Sequence, residues 1–310
     1  MIKFSVIIHI IKIYYLTMNF NIKGEKKMGL IGDKKIGFLG GGRMAEAIFS
    51  GMITAKLVKP EQIYVTDILD NRLDYLEKEH GVNIVKNTVD VPNSGSINLL
   101  DKVDIAIVAT HPQSADDLLK SAAPKMDERN ILIMSIMGGV SLSYLEGYIK
   151  TAPVIRVMPN TPMQVNEGVA GLALGKNAKT VHGEMAREMF NSIGLAFILS
   201  EELMDPLTAV SGCGPAYAGM FIQALADGGV QMGLSRDMSV ELAAQVLIGT
   251  GRMVIDKRIH PEVLKDNVCT PGGGTIAGVR ALENGNFRAT VMSAVENGLN
   301  RMREVGKKNN

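Results

Sequence analysis

The 310-residue chain has no tryptophan, five histidines and only two cysteines, Cys213 and Cys269. Two thiols cannot supply a disulfide framework or a zinc site, so no metal is expected. Their scarcity fits a reducing compartment, and the expected location is the cytoplasm. Neither charge sign is in excess, since 33 basic residues face 32 acidic ones. A net charge of +1 gives no electrostatic reason to expect nucleic acid or an anionic membrane as partner. A long hydrophobic run is missing too. Residues 4–16 are apolar, but they include His9 and Lys12 and are too few to cross a bilayer. No small-x-small cleavage site follows them, which argues against a signal peptide. Translation is expected to start at Met28, leaving residues 1–33 as an extension outside the fold; a disordered tail is the alternative. Methionine is plentiful, at 19 residues, and fills gaps in cores.

From Lys35 onward the hydrophobic pattern alternates between two periods. Strands are expected at 35–39, 63–66, 84–85, 104–109, 130–135 and 154–157, with helices at 43–56, 71–79, 116–123 and 141–148. Residues 91–100 read as a small insertion. Strands alternating with helices at this spacing predict a doubly wound parallel α/β domain over 34–160. After Pro159 one or two short strands are expected within 168–174, and helical patterns follow from His182. Pro215 reads as the start of a long helix running to Val230. Several of these helices are apolar on more than one face. Residues 161–310 are therefore expected to form an all-α domain that binds substrate and dimerises.

Gly40-x-Gly42-x-x-Ala45 follows the first strand and opens a helix, which is the dinucleotide fingerprint of a Rossmann domain in its required context. Gly40 permits the turn, and Gly42 lets the backbone approach a pyrophosphate. Gly41, Arg43 and Met44 complete a helix N-terminus whose free N–H groups suit phosphate. Asp67 ends the second strand near the spacing of the residue that accepts from the ribose hydroxyls. It could instead cap the next helix. Arg72 could serve a 2′-phosphate, so the reading of NADH or NADPH only leans to NADH. Two further glycine-rich loops, 211–217 and 271–276, each enter a helix and can cradle an anion. Together they suggest a substrate bearing a carboxylate.

Four stretches are distinctive: Arg-Val-Met-Pro-Asn-Thr-Pro at 156–162, Leu-Thr-Ala-Val-Ser-Gly-Cys-Gly-Pro-Ala-Tyr at 207–217, Ala-Asp-Gly-Gly-Val at 226–230, and His260-Pro261 through Leu-Lys-Asp-Asn-Val-Cys-Thr-Pro-Gly-Gly-Gly-Thr-Ile at 264–276. On these the chain resembles the pyrroline-5-carboxylate reductases, from about Lys35 to about Val305. The resemblance implies reduction of a cyclic imine carboxylate to L-proline by hydride from NAD(P)H, the last step of proline synthesis. By position it implies that Gly274 and Thr275 bind the carboxylate and that Asn267 and Glu201 contact substrate. Thr208 and Ser211 match polar residues near the ring nitrogen and carboxylate, Thr208 being the best partner for the nitrogen. Asn87 and the loop of Ala109, Thr110, His111 and Pro112 match cofactor contacts. Homodimers, often gathered into decamers, are implied as well. Two departures stand out. Thr110-His111-Pro112 replaces the usual Val-Lys-Pro, and Cys213 replaces a serine. Rival readings are another NAD(P)-dependent imine or hydroxyacid reductase, for which the linking-helix lysine is missing, and a non-catalytic paralogue, which should have lost the carboxylate loop or the glycine fingerprint.

Overall fold

Eight strands form one sheet in the order β3-β2-β1-β4-β5-β6-β7-β8 in the computed structural model, which describes residues 29–88 and 91–308. β1 (Ile36–Leu39) is buried along its whole length and leads into helix α1 (Arg43–Thr54). β2 (Ile63–Thr66), α2 (Asp70–His80) and the two-residue β3 (Asn83–Ile84) lie to one side of it. α3 (Ser94–Leu100), β4 (Ile105–Val108), α4 (Ala115–Arg129), β5 (Leu132–Ser135), α5 (Leu142–Tyr148) and β6 (Val154–Met158) continue on the other. All these pairings are parallel. Strands covered on both faces explain the unbroken apolar runs.

The structure corrects two expectations and adds an element. Residues 91–100 carry α3, which packs Leu99 and Leu100 into the core. Leu99 fills the space a side chain at Gly37 would need, with its Cδ2 2.2 Å from a Cβ built there. The α/β domain does not end at 160. β7 (Gly168–Leu174) pairs antiparallel with β6, then α6 (Thr180–Asn191) crosses to β8 (Gly194–Ile198), parallel to β7. The link 159–167 is shorter than the dozen or so residues a parallel crossover needs, so the chain turns back on itself. Nor does the fold start at Lys34. Ile31 is 1% exposed within the core, and the Leu30 N–H donates to Glu188 Oε2 at 2.7 Å. The expected start at Met28 and everything before it lie outside the described residues. Ile31→Ala should destabilise the fold by about 2–5 kcal/mol, the usual cost of emptying a packed site. Urea unfolding measures it; a midpoint like the wild type's would mean that Ile31 carries no core energy.

Beyond β8 the chain is helical: α7 (Met204–Ser211), α8 (Gly214–Gln231), α9 (Arg236–Asp256), α10 (Pro261–Val268), α11 (Gly274–Asn284) and α12 (Phe287–Lys308). α8 starts at Gly214, one residue before Pro215. Of its 18 residues only Ala226 is buried. Met220 and Met232 are 74% and 76% exposed, and an apolar groove of about 440 Å³ lies between α8, α11 and α12. α9 is long and apolar enough by composition to cross a membrane, yet it packs along α8. Helices this apolar and this open leave a large exposed apolar surface on this half of the chain.

Candidate active site

The turn between β1 and α1 sits at the point where the strand order reverses, between β1 and β4. Ligands of open α/β sheets bind there, outside the carboxyl ends of the strands. Gly40 adopts φ +107°, and a Cβ on it would lie 2.7 Å from the Ala109 carbonyl oxygen. Only glycine lets the turn pass so close to the end of β4. At Gly42 the situation is opposite, since a Cβ would meet nothing within 4 Å. The amides of Gly42, Arg43 and Met44 find no acceptor among the described residues. This is a cradle open to solvent, edged by free N–H groups at the positive end of a 12-residue helix. It fits a pyrophosphate.

Asp67 stands beside the cradle. Its Oδ2 accepts from the Gly41 N–H at 2.8 Å and its Oδ1 from the Leu69 N–H at 3.0 Å. It makes no cap bond to α2, whose N-cap is Leu69. A carboxylate has about four acceptor sites, so capacity remains for ribose hydroxyls. Asn87 shares this rim: its amide donates to the Asp67 carbonyl at 3.5 Å and accepts from Gly95 N–H at 2.9 Å. Thus α3 is what holds Asn87 in place. Arg72 is turned inward. Its Nε donates to the Gly41 carbonyl at 2.7 Å, and its Nη2 reaches Glu46 Oε2 at 2.5 Å. His80 Nε2 lies 3.0 Å from the other Glu46 oxygen. Burial works to raise the Glu46 carboxyl, but the hydrogen bonds with His80 and Arg72 outweigh it and hold the group below the usual carboxylate range.

The opposite rim is the loop after β4. Ala109 N–H donates to the Leu39 carbonyl at 2.8 Å, and the Thr110 hydroxyl reaches Met137 Sδ at 3.6 Å. His111 is exposed and precedes a short 3₁₀ turn at Pro112–Ser114. Pro112 and Gln113 face Gly138, Gly139, Val140, Ser141 and Tyr144 across a cavity of about 290 Å³. This second wall was missed in the sequence as a site. Its one signal was Gly138-Gly139 directly after the fifth strand, which reads equally well as a turn. Behind it Tyr144 and Tyr148 both donate to Asp116 Oδ1, and these bonds keep the Asp116 carboxyl below its ordinary range.

In the helical domain the 270–275 loop closes on itself, with Gly273 N–H donating to the Thr270 carbonyl at 3.0 Å and Gly272 at φ +68°. α11 then starts without a side-chain cap, and the amides of Gly274, Thr275 and Ile276 find no acceptor among the described residues. Thr275 is exposed beside them, and Asn267 is exposed on the last turn of α10. Thr208 and Ser211 lie one turn apart on α7 and donate to the carbonyls of Met204 and Leu207. Their protons are committed, which leaves their lone pairs for an incoming N–H. Glu201 ties the two domains together: its Oε1 accepts from Leu142 N–H at 2.7 Å and from Arg156 Nη1 at 2.9 Å. No hydrogen bond or ion pair among the described residues joins 261–284 to the sheet domain of the same chain. The residues expected to hold the cofactor come together; the loop expected to hold the carboxylate stands apart from them.

Residues 201–305 match the family model for pyrroline-5-carboxylate reductase dimerisation, and residues 35–139 match that of the coenzyme F420-dependent NADP oxidoreductases. Pyrroline-5-carboxylate reductase of Synechocystis is 38% identical over 87% of this chain and 97% of its own length. The chain belongs to the pyrroline-5-carboxylate reductase family. Two solved members share the fold. The enzyme of Coxiella burnetii superposes with a TM-score of 0.80 at 29% identity, covering 88% of this chain and 98% of its own. That of Plasmodium falciparum, with NADP bound, superposes with a TM-score of 0.74 at 33% identity and the same coverage. The family thus joins the open cradle at Gly42 to a dimerisation domain that begins at Glu201, three residues past β8.

Proposed function

We propose that this protein reduces 1-pyrroline-5-carboxylate to L-proline with NAD(P)H. The observation that carries the reading is the pair of amide-lined helix starts, one for a pyrophosphate and one for a carboxylate, on a chain of this family. The residues present fit the cofactor, as the empty space over Gly42 and the free amides of α1 make plain. When bound, the reduced nicotinamide supplies a hydride for the imine carbon of the substrate. The chain's own work is positioning. Gly274, Thr275 and Ile276 offer N–H groups to the carboxylate, and the Thr275 hydroxyl adds a donor. The lone pairs of Thr208 are free to accept from a protonated ring nitrogen. The loop of Thr110, His111 and Pro112 with Gly138–Ser141 walls off the reacting end. Loss of NADH absorbance on adding pyrroline-5-carboxylate, with proline as product, tests the reaction; no turnover with either cofactor would reject it.

For the cofactor we favour NADH. Asp67 puts a carboxylate where a 2′-phosphate would come near, and like charges repel. Asp67→Ser should raise the ratio of kcat/KM for NADPH over that for NADH. An unmoved ratio in steady-state assays would reduce Asp67 to its bond with Gly41. The exposed apolar faces of α8 and α9 support a homodimer, and the separation of the carboxylate loop from the crevice of its own chain makes the assembled form the working one. Decamers and a cytoplasmic location complete the proposal, on the resemblance and the scarcity of cysteine respectively.

A further inference from the structure

Arg72 is the one cation between Ile63 and Glu77, a stretch that also holds Asp67, Asp70, Asp74 and Glu77. An arginine just past the second strand can accept a 2′-phosphate. Here it does not face outward. Its Nε is bound to the Gly41 carbonyl, its Nη2 to Glu46, and its guanidinium lies 5.1 Å from the centre of the Tyr75 ring. The neighbouring cation Lys86 is paired with Asp74 at 2.8 Å. On the β2 side of the crevice Arg72 and Lys86 are therefore both engaged by carboxylates, whereas Arg43, exposed at the start of α1, makes no ion pair among the described residues.

We propose that Glu46 is a specificity-determining residue: by holding Arg72 against the glycine loop it withholds that cation from a 2′-phosphate and sets the preference for NADH. The inference rests on the reading of this crevice as an NAD(P)H site. Glu46 lies on α1 and touches neither the ribose rim nor the carboxylate loop; it acts through Arg72. The arrangement has two effects that can be separated. The Arg72 bond to the Gly41 carbonyl, with the Asp67 bond to the Gly41 N–H, fixes the two peptides that flank Gly41 and should serve both cofactors alike. The Glu46 bond decides only where the rest of the guanidinium points. His80 shares the Glu46 carboxylate, its Nε2 lying 3.0 Å from the oxygen that Arg72 does not bind.

The test measures the Kd of NADH and of NADPH by calorimetry on the full chain, without imine substrate. Glu46→Ala should improve the NADPH-to-NADH affinity ratio by about tenfold or more, the worth of one charge-assisted bond to phosphate. Glu46→Gln, which keeps the volume, should move the ratio the same way by less. Arg72→Leu alone should weaken both cofactors by similar factors. In Glu46→Ala/Arg72→Leu the gain should vanish, because the cation that carried it is gone. An unchanged ratio in both Glu46 variants overturns the proposal. So does a gain that survives in the double variant, since removal of an acid would then explain it without Arg72. If the wild type binds neither cofactor, the dinucleotide reading of the crevice fails first and the role of Glu46 falls with it.

Discussion

Gly42→Val should all but abolish cofactor binding while leaving the fold intact. A Cβ at Gly42 meets nothing within 4 Å, so valine needs no rearrangement of the protein. Its methyl groups would occupy the space in front of the amides of Gly42, Arg43 and Met44. Hydrogen bonds to a charged phosphate contribute about 1.5–3 kcal/mol each. Losing two of them corresponds to roughly a 10²- to 10⁴-fold rise in Kd at about 1.4 kcal/mol per tenfold. Calorimetry with NADH reads this directly, and thermal unfolding without cofactor should match the wild type. Gly40→Ala is the contrasting variant. Its side chain would strike the Ala109 carbonyl at 2.7 Å from a φ of +107°, so stability should fall along with binding. Unchanged affinity in Gly42→Val would remove the pyrophosphate from this crevice.

Thr275→Ala should lower kcat/KM for the carboxylate substrate by roughly 10- to 150-fold, the loss of one hydrogen bond to a charge at about 1.5–3 kcal/mol. The amides of Gly274, Thr275 and Ile276 remain, so activity should drop without disappearing. NADH affinity in the absence of substrate should not move, because the loop makes no bond to the sheet domain of its chain. A cyclic imine without the carboxylate is the control. Wild type and variant should reduce it about equally. Equal impairment on both substrates would mean that the hydroxyl supports the loop and does not bind the carboxylate.

The readable parts of this protein were those whose signal is local. The parallel strands from β1 to β6 showed as short apolar runs because each is covered on both faces. The cofactor cradle showed because its glycines are demanded by backbone geometry within a few residues, as at Gly40. The loop before Thr275 showed for the same reason, and the family resemblance added its companions in the chain by position alone.

The unread parts depend on contacts between residues far apart in the chain. Ile31 looked like extension because a single apolar residue has no period, and only the fold reveals the core pocket that receives it. β8 was lost among helices since its Leu195, Phe197 and Ile198 stay exposed at the sheet edge and show no buried run. Asp67 and Arg72 were legible as an acid and a base close to the glycine turn, but not the bonds they make. Gly41 donates to the one and accepts from the other, and Glu46 turns Arg72 away from the rim. Glu201 was likewise legible as an acid, while its engagement by Leu142 and Arg156 was not. Sequence alone determined which backbone could curl around an anion, because φ and the missing Cβ are properties of single residues. Tertiary structure decided which charges are free to meet a ligand, because a charged side chain goes to whichever partner the packed fold brings within hydrogen-bond reach.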